Sequence, residues 1–134
     1  MKTWKQLSDG LHRRGMYLVQ DIVVNHTGNF FNYDGPYDPA DTSKNFYLLE
    51  APDSLQPAPT QPPFHMINRL DPEHAAADIY HWTPNIIDYS RKDHQFTYQL
   101  AFLADINTSN PVVVDTLKAT YGDWIRETGV DAFR

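Results

Sequence analysis

The sequence predicts an α/β fold built on parallel strands and interrupted by a long irregular insertion. Three observations predict it. A helix-then-strand pattern stands at each end of the chain, and residues 16–24 are almost continuously apolar. The middle segment holds nine of the ten prolines and 13 of the 18 aromatic residues. Alternation of helix and strand is the grammar of parallel α/β folds.

Taken in order, Trp4, Leu7 and Leu11 fall at i, i+3 and i+7 and predict the core-facing stripe of a first helix. Arg13 and Arg14 put cations at its C-terminus, and Gly15 supplies a left-handed cap. The run MYLVQDIVV that follows lacks strict alternation, which suits a parallel strand covered on both faces. Only Gln20 and Asp21 break it, and a carboxylate in such a strand needs a partner. Residues 27–102 keep no helical period beyond about two turns. Their aromatic density sets them apart from disordered sequence, so they read as a small irregular subdomain whose rings mostly form its own core. Asn110 and Pro111 are placed as N-cap and first residue of a last helix. Val113 or Val114, Leu117, Tyr121, Trp124 and Ile125 then keep a 3.6-residue period, and Gly129 ends it. Val130, Ala132 and Phe133 begin a second strand, inside which the sequence stops, so we expect a piece of a larger domain. The division is 1–26, 27–102 and 103–134.

Composition narrows the function. With 134 residues, 41% apolar and 21% charged, the chain has the make-up of a soluble globular domain with one core. No apolar run approaches the roughly 18 residues of a membrane-spanning helix. A net charge of −6 argues against non-specific nucleic-acid binding, and the absence of cysteine excludes thiolate chemistry. Of the 17 carboxylates 14 are aspartates, residues of turns and of calcium sites. His74 and His81, seven apart, fit no zinc spacing.

Function in parallel α/β sheets and barrels gathers at the carboxyl ends of the strands. Asp21, Asn25 and His26 occupy that end of the first strand, and Asp131 and Arg134 lie in the second. Asp21-Ile22-Val23-Val24-Asn25-His26 resembles the D-x-x-x-N-H signature of the α-amylase family, glycoside hydrolase family 13. Leu103-Ala104-Asp105-Ile106-Asn107 with Asn110-Pro111 resembles its L/M-P-D-L-N-x-x-N-P motif, and Gly129-Val130-Asp131-Ala132-Phe133-Arg134 its G-x-D-G-F-R motif. Ala104 and Ala132 depart from the usual proline and glycine. Order and spacing agree over essentially the whole chain.

The resemblance implies a partial (β/α)8 TIM barrel, from about strand three to the start of strand four, with domain B inserted between. It implies a retaining glycoside hydrolase or transglycosylase acting on α-glucans or malto-oligosaccharides. His26 would hydrogen-bond the sugar, Arg134 would orient the nucleophilic carboxylate, and Asp21 would brace the site. Asn25 and Asp105 would be ligands of a calcium ion. Tyr33, Tyr37 and Trp82 are candidates to stack on sugar rings, because a flat apolar face with a polar edge suits a pyranose. The nucleophile would fall two positions beyond Arg134, and the acid/base glutamate later still, so the chain alone is expected to be inactive. A non-catalytic carbohydrate-binding relative is the alternative. The motifs do not separate α-amylases from α-glucosidases or transferases.

Overall fold

The computed structural model describes residues 1–49, 62–64 and 77–134. Pro57, Pro59, Glu50, Glu73 and His74 lie outside the described residues. The chain divides into two compact units, Met1–Val24 with Val114–Arg134, and Asn25–Val113.

The first unit opens with helix α1 (Lys2–His12), after which Gly15 takes the left-handed conformation at φ +70°. Its inward face differs from the predicted stripe. Leu7 is exposed, and the buried side chain is Ser8. A close approach explains the exchange: Ser8 Oγ donates to the Gly129 carbonyl at 2.6 Å, where a leucine would not fit. Gly129 is fixed from two sides, since its φ is +71° and a Cβ there would lie 2.9 Å from Ser8 Oγ. Trp4, one turn before Ser8, packs edge-on against Trp124 with centroids 5.9 Å apart.

Strand β1 (Val19–Gln20) pairs in parallel with β6 (Ala132–Phe133), Val19 opposite Ala132 and Gln20 opposite Phe133. Bonds from Asp131 N to Leu18 O and from Ile22 N to Arg134 O carry the ladder past both ends. Burial along this stretch alternates: Leu18, Gln20 and Ile22 are half-buried, while Tyr17, Val19, Asp21 and Val23 are exposed. Within this unit one face of the stretch is packed, whereas the sequence predicts cover on both. Helix α3 (Pro111–Thr128) meets it, its Trp124 indole N–H donating to the Gln20 side chain and its Tyr121 hydroxyl to the Val23 carbonyl. Gln20 therefore interrupts the apolar run as a satisfied acceptor. The start of α3 is as predicted, with Asn110 Oδ1 accepting from Val112 N–H at 2.9 Å.

Among the described residues, the second unit holds short strands and one short helix. Strand β2 (His26–Gly28) runs antiparallel to β5 (Leu103–Asp105), and β3 (Phe31–Tyr33) to β4 (Phe46–Leu48). Helix α2 (Lys92–Thr97) lies between β4 and β5 in the chain. Residues 103–113 lie in this unit, with β5 the partner of β2. Its core is aromatic. Phe31, wholly buried, lies 5.3 Å from Phe30, 5.4 Å from Phe46 and 5.3 Å from Trp82, and Tyr80 lies 5.2 Å from Trp82. Tyr80 keeps one polar contact, with Thr27 Oγ1 at 3.2 Å, and burial pushes its hydroxyl pKa up to about 12.

Two expectations follow. Phe31→Ala should destabilise the second unit by about 3–5 kcal/mol, read from urea unfolding, because the cavity lies among rings that cannot collapse. Asp131 accepts from Leu18 N and His12 Nε2, each at 2.8 Å, and these bonds, the backbone one foremost, hold its carboxyl below the ordinary value. A depressed carboxyl stabilises the fold above its unfolded pKa, and that stability is lost as pH falls through the folded one. Asp131→Asn should therefore lower Tm at neutral pH, and the gap to the parent chain should close below about pH 4. An equal loss at every pH in a calorimetric series would remove the charge from this account.

Candidate functional site

Two groups of predicted residues are each brought together within one unit. In the first unit, Asp21 and Arg134 stand just past the paired strands. The ladder bonds from Arg134 N to Gln20 O and from Ile22 N to Arg134 O fix their backbones side by side. Arg134 Nη1 then donates to Asp21 Oδ2 at 3.0 Å. Both side chains are open to solvent, 81% and 70% exposed, so the contact orients the guanidinium more than it stabilises the fold. Asp131, between the strands' ends and α1, serves Leu18 and His12 instead.

In the second unit, His26 and Asp105 are opposite one another across the β2–β5 pair, and Ile106 N donates to the Asn25 carbonyl at 2.9 Å. Asn25, His26 and Asp105 thus share one edge of the second unit. Burial pushes the Asp105 carboxyl above its ordinary range, with His81 and His26 opposing the shift more weakly. His81 arrives because its N–H donates to the Asp105 carbonyl. Asp105 has no ion pair among the described residues. The donor types, an amide oxygen and a carboxylate, fit calcium, which takes about six to eight oxygens. Among the described residues no three His, Asp or Glu side chains gather into a metal cluster, so these two would be part of a ligand set.

The three aromatic candidates separate. Trp82 is only 3% exposed, and its indole N–H donates to the Ala77 carbonyl at 2.8 Å. Its ring is thereby enclosed in the aromatic core and presents no face to a sugar. Tyr33 and Tyr37 line a cleft of about 360 Å³ in the second unit, together with Asn85, Arg91, His94 and Tyr98. Sequence reasoning missed these last four. They share no period, and only the chain's path between β4 and β5 collects them.

No helix among the described residues is long and apolar enough to cross a membrane. Compared with known proteins, the whole chain, residues 1–134, matches the family described as Alpha amylase, catalytic domain. It is also 30% identical over 125 residues to Alpha-amylase 1 of Lipomyces kononenkoae. That match covers 90% of this chain and 15% of the length of that protein. The chain belongs to the α-amylase family, whose catalytic domain is a TIM barrel.

For the Asp21 and Arg134 contact, a double-mutant cycle with Asp21→Asn and Arg134→Gln should give a coupling below about 1 kcal/mol, falling with added salt. A larger, salt-insensitive coupling would mean that the pair is shielded from solvent.

Proposed function

We propose that this chain is part of a retaining glycoside hydrolase or transglycosylase acting on α-glucosidic bonds of α-glucans or malto-oligosaccharides. The observation that carries the reading is the contact between Arg134 and Asp21 at the adjoining ends of parallel strands, in a chain of this family. A guanidinium held in a fixed direction is what an attacking carboxylate beside it needs. It keeps that carboxylate ionised and aligned, and its planar fork carries direction that a lysine would not. The nucleophile in this reading stands two positions beyond Arg134.

β1 and β6 are then barrel strands three and four. The uncovered face of β1, with Val19 and Val23, awaits side chains of the barrel interior. The unit Asn25–Val113 is the domain B insertion. His26, at its entry, donates to the bound sugar. Asn25 and Asp105 would hold a calcium ion, which would supply positive charge beside the Asp105 carboxylate.

Retaining hydrolysis needs two carboxyl groups about 5–5.5 Å apart, one as nucleophile and one as acid/base. Neither is assigned among these residues. The 134-residue chain is accordingly expected to release no reducing sugar from soluble starch, whereas the longer protein does so and loses activity when the nucleophile is changed to asparagine. Arg134→Lys in the longer protein lowers kcat more than it raises KM. Turnover by the homogeneous 134-residue chain would overturn this assignment of roles. Millimolar calcium is expected to raise Tm of the parent chain but not of Asp105→Asn; no calcium effect on either would strike Asn25 and Asp105 from the ligand set.

A further inference from the structure

Helix α1 touches the approach to β6 at two points one turn apart. Ser8 Oγ donates to the Gly129 carbonyl at 2.6 Å, and His12 Nε2 donates to Asp131 Oδ2 at 2.8 Å. Residues at i and i+4 share a helix face, so α1 grips positions 129 and 131 with one edge. Asp131 then holds Leu18 twice. Its N–H donates to the Leu18 carbonyl at 2.9 Å, and its Oδ2 accepts from Leu18 N at 2.8 Å. A single carboxylate oxygen thus joins the end of α1 to the start of β1.

This junction decides a register that the backbone leaves open. β1 and β6 pair over two residues each, Val19 opposite Ala132 and Gln20 opposite Phe133. The bonds of a parallel ladder are evenly spaced, so they do not distinguish this register from one two residues away. Such a slip would also keep every side chain on its own face. It would carry Arg134 about 7 Å along the strand, at about 3.3 Å per residue, and away from Asp21. The bonds from Trp124 to the Gln20 side chain and from Tyr121 to the Val23 carbonyl fix β1 on α3, not on β6. With Leu18 and Asp131 aligned, Arg134 N comes within 3.0 Å of the Gln20 carbonyl and its guanidinium meets Asp21. The junction is also better sheltered than the contact it serves. The His12 and Asp131 side chains are 39% and 29% exposed, against 81% and 70% for Arg134 and Asp21.

We propose that His12 is a positioning residue for Arg134. Its imidazole holds the Asp131 carboxylate on the Leu18 amide, which sets β6 against β1 and brings the guanidinium beside Asp21. The catalytic consequence rests on the function proposed above; the register itself rests on the geometry of the first unit. His12 stands outside the three motifs that carry the family resemblance, and nine positions before Asp21.

The test compares His12→Leu, His12→Asn and His12→Gln in the longer protein. Glutamine places an amide N–H near the position of Nε2 and reaches Asp131, whereas asparagine is one methylene too short. Hydrogen exchange read by mass spectrometry should show the Leu18 amide opening at least about tenfold faster in His12→Leu and His12→Asn than in the parent, and near the parent rate in His12→Gln. At a temperature where circular dichroism shows every variant folded, kcat on soluble starch should fall at least about tenfold in the first two, with KM within about twofold, and recover in His12→Gln. If His12→Leu does not fold, the contrast between asparagine and glutamine decides. A lowered Tm with kcat unchanged would make His12 merely structural and overturn the proposal, as would equal Leu18 exchange in all four proteins. Without turnover of starch by the longer parent protein the function proposed above falls, whereas Leu18 exchange still judges whether His12 holds the register.

Discussion

The second unit depends on one pairing, β2 with β5. Gly28 lies opposite Leu103 and His26 opposite Asp105, so everything from 29 to 102 is a loop closed by that ladder. Closing a loop of this length costs entropy, but the cost grows only slowly with length, by about 0.6 kcal/mol per doubling. The ladder's few bonds would not hold alone. They are reinforced from behind by the aromatic core, where Tyr80, bridged to Ile106 just past β5, carries Phe30 and Trp82 against the same closure. Ala104, opposite Thr27, is wholly buried.

That closure also assembles chemistry. Asn25, His26 and Asp105 are far apart in sequence and adjacent only because the ladder registers them. The D-x-x-x-N-H segment is divided between the units: Asp21 belongs to the first, Asn25 and His26 to the second. One short segment therefore does two jobs. Its first half completes a parallel strand and binds Arg134, and its second half opens the second unit.

Much of the fold was legible in the sequence wherever local chemistry decided the outcome. Asn110, Pro111 and Gly129 bracket α3 because capping is a property of a few neighbouring residues. The parallel pairing of the two end strands followed from their apolar runs. What failed to show was set by contacts from elsewhere in the chain. Leu7 looked inward by spacing, yet the approach of Gly129 selected Ser8. Val19 and Val23 looked buried by composition, yet burial followed the strand's alternation once α3 covered a single face. Trp82 was readable as aromatic but not as interior, since its enclosure by Phe31 and Tyr80 is tertiary. His94 and Tyr98 had no signal, because a cleft drawn from separate segments of the chain has no period to find.

Ser8 and Gly129 are not equals in their contact. Ser8 could give way to alanine, losing one hydrogen bond and relieving nothing in the backbone. Gly129 has no such freedom: trimming Ser8 would clear the space for a β-carbon but would leave φ at +71°. Tolerance to substitution at this junction therefore runs in one direction. Across variants, position 8 should drift among small residues while position 129 stays glycine, so the two would show little covariation despite touching. A contact can be essential and still leave no paired signature in sequence.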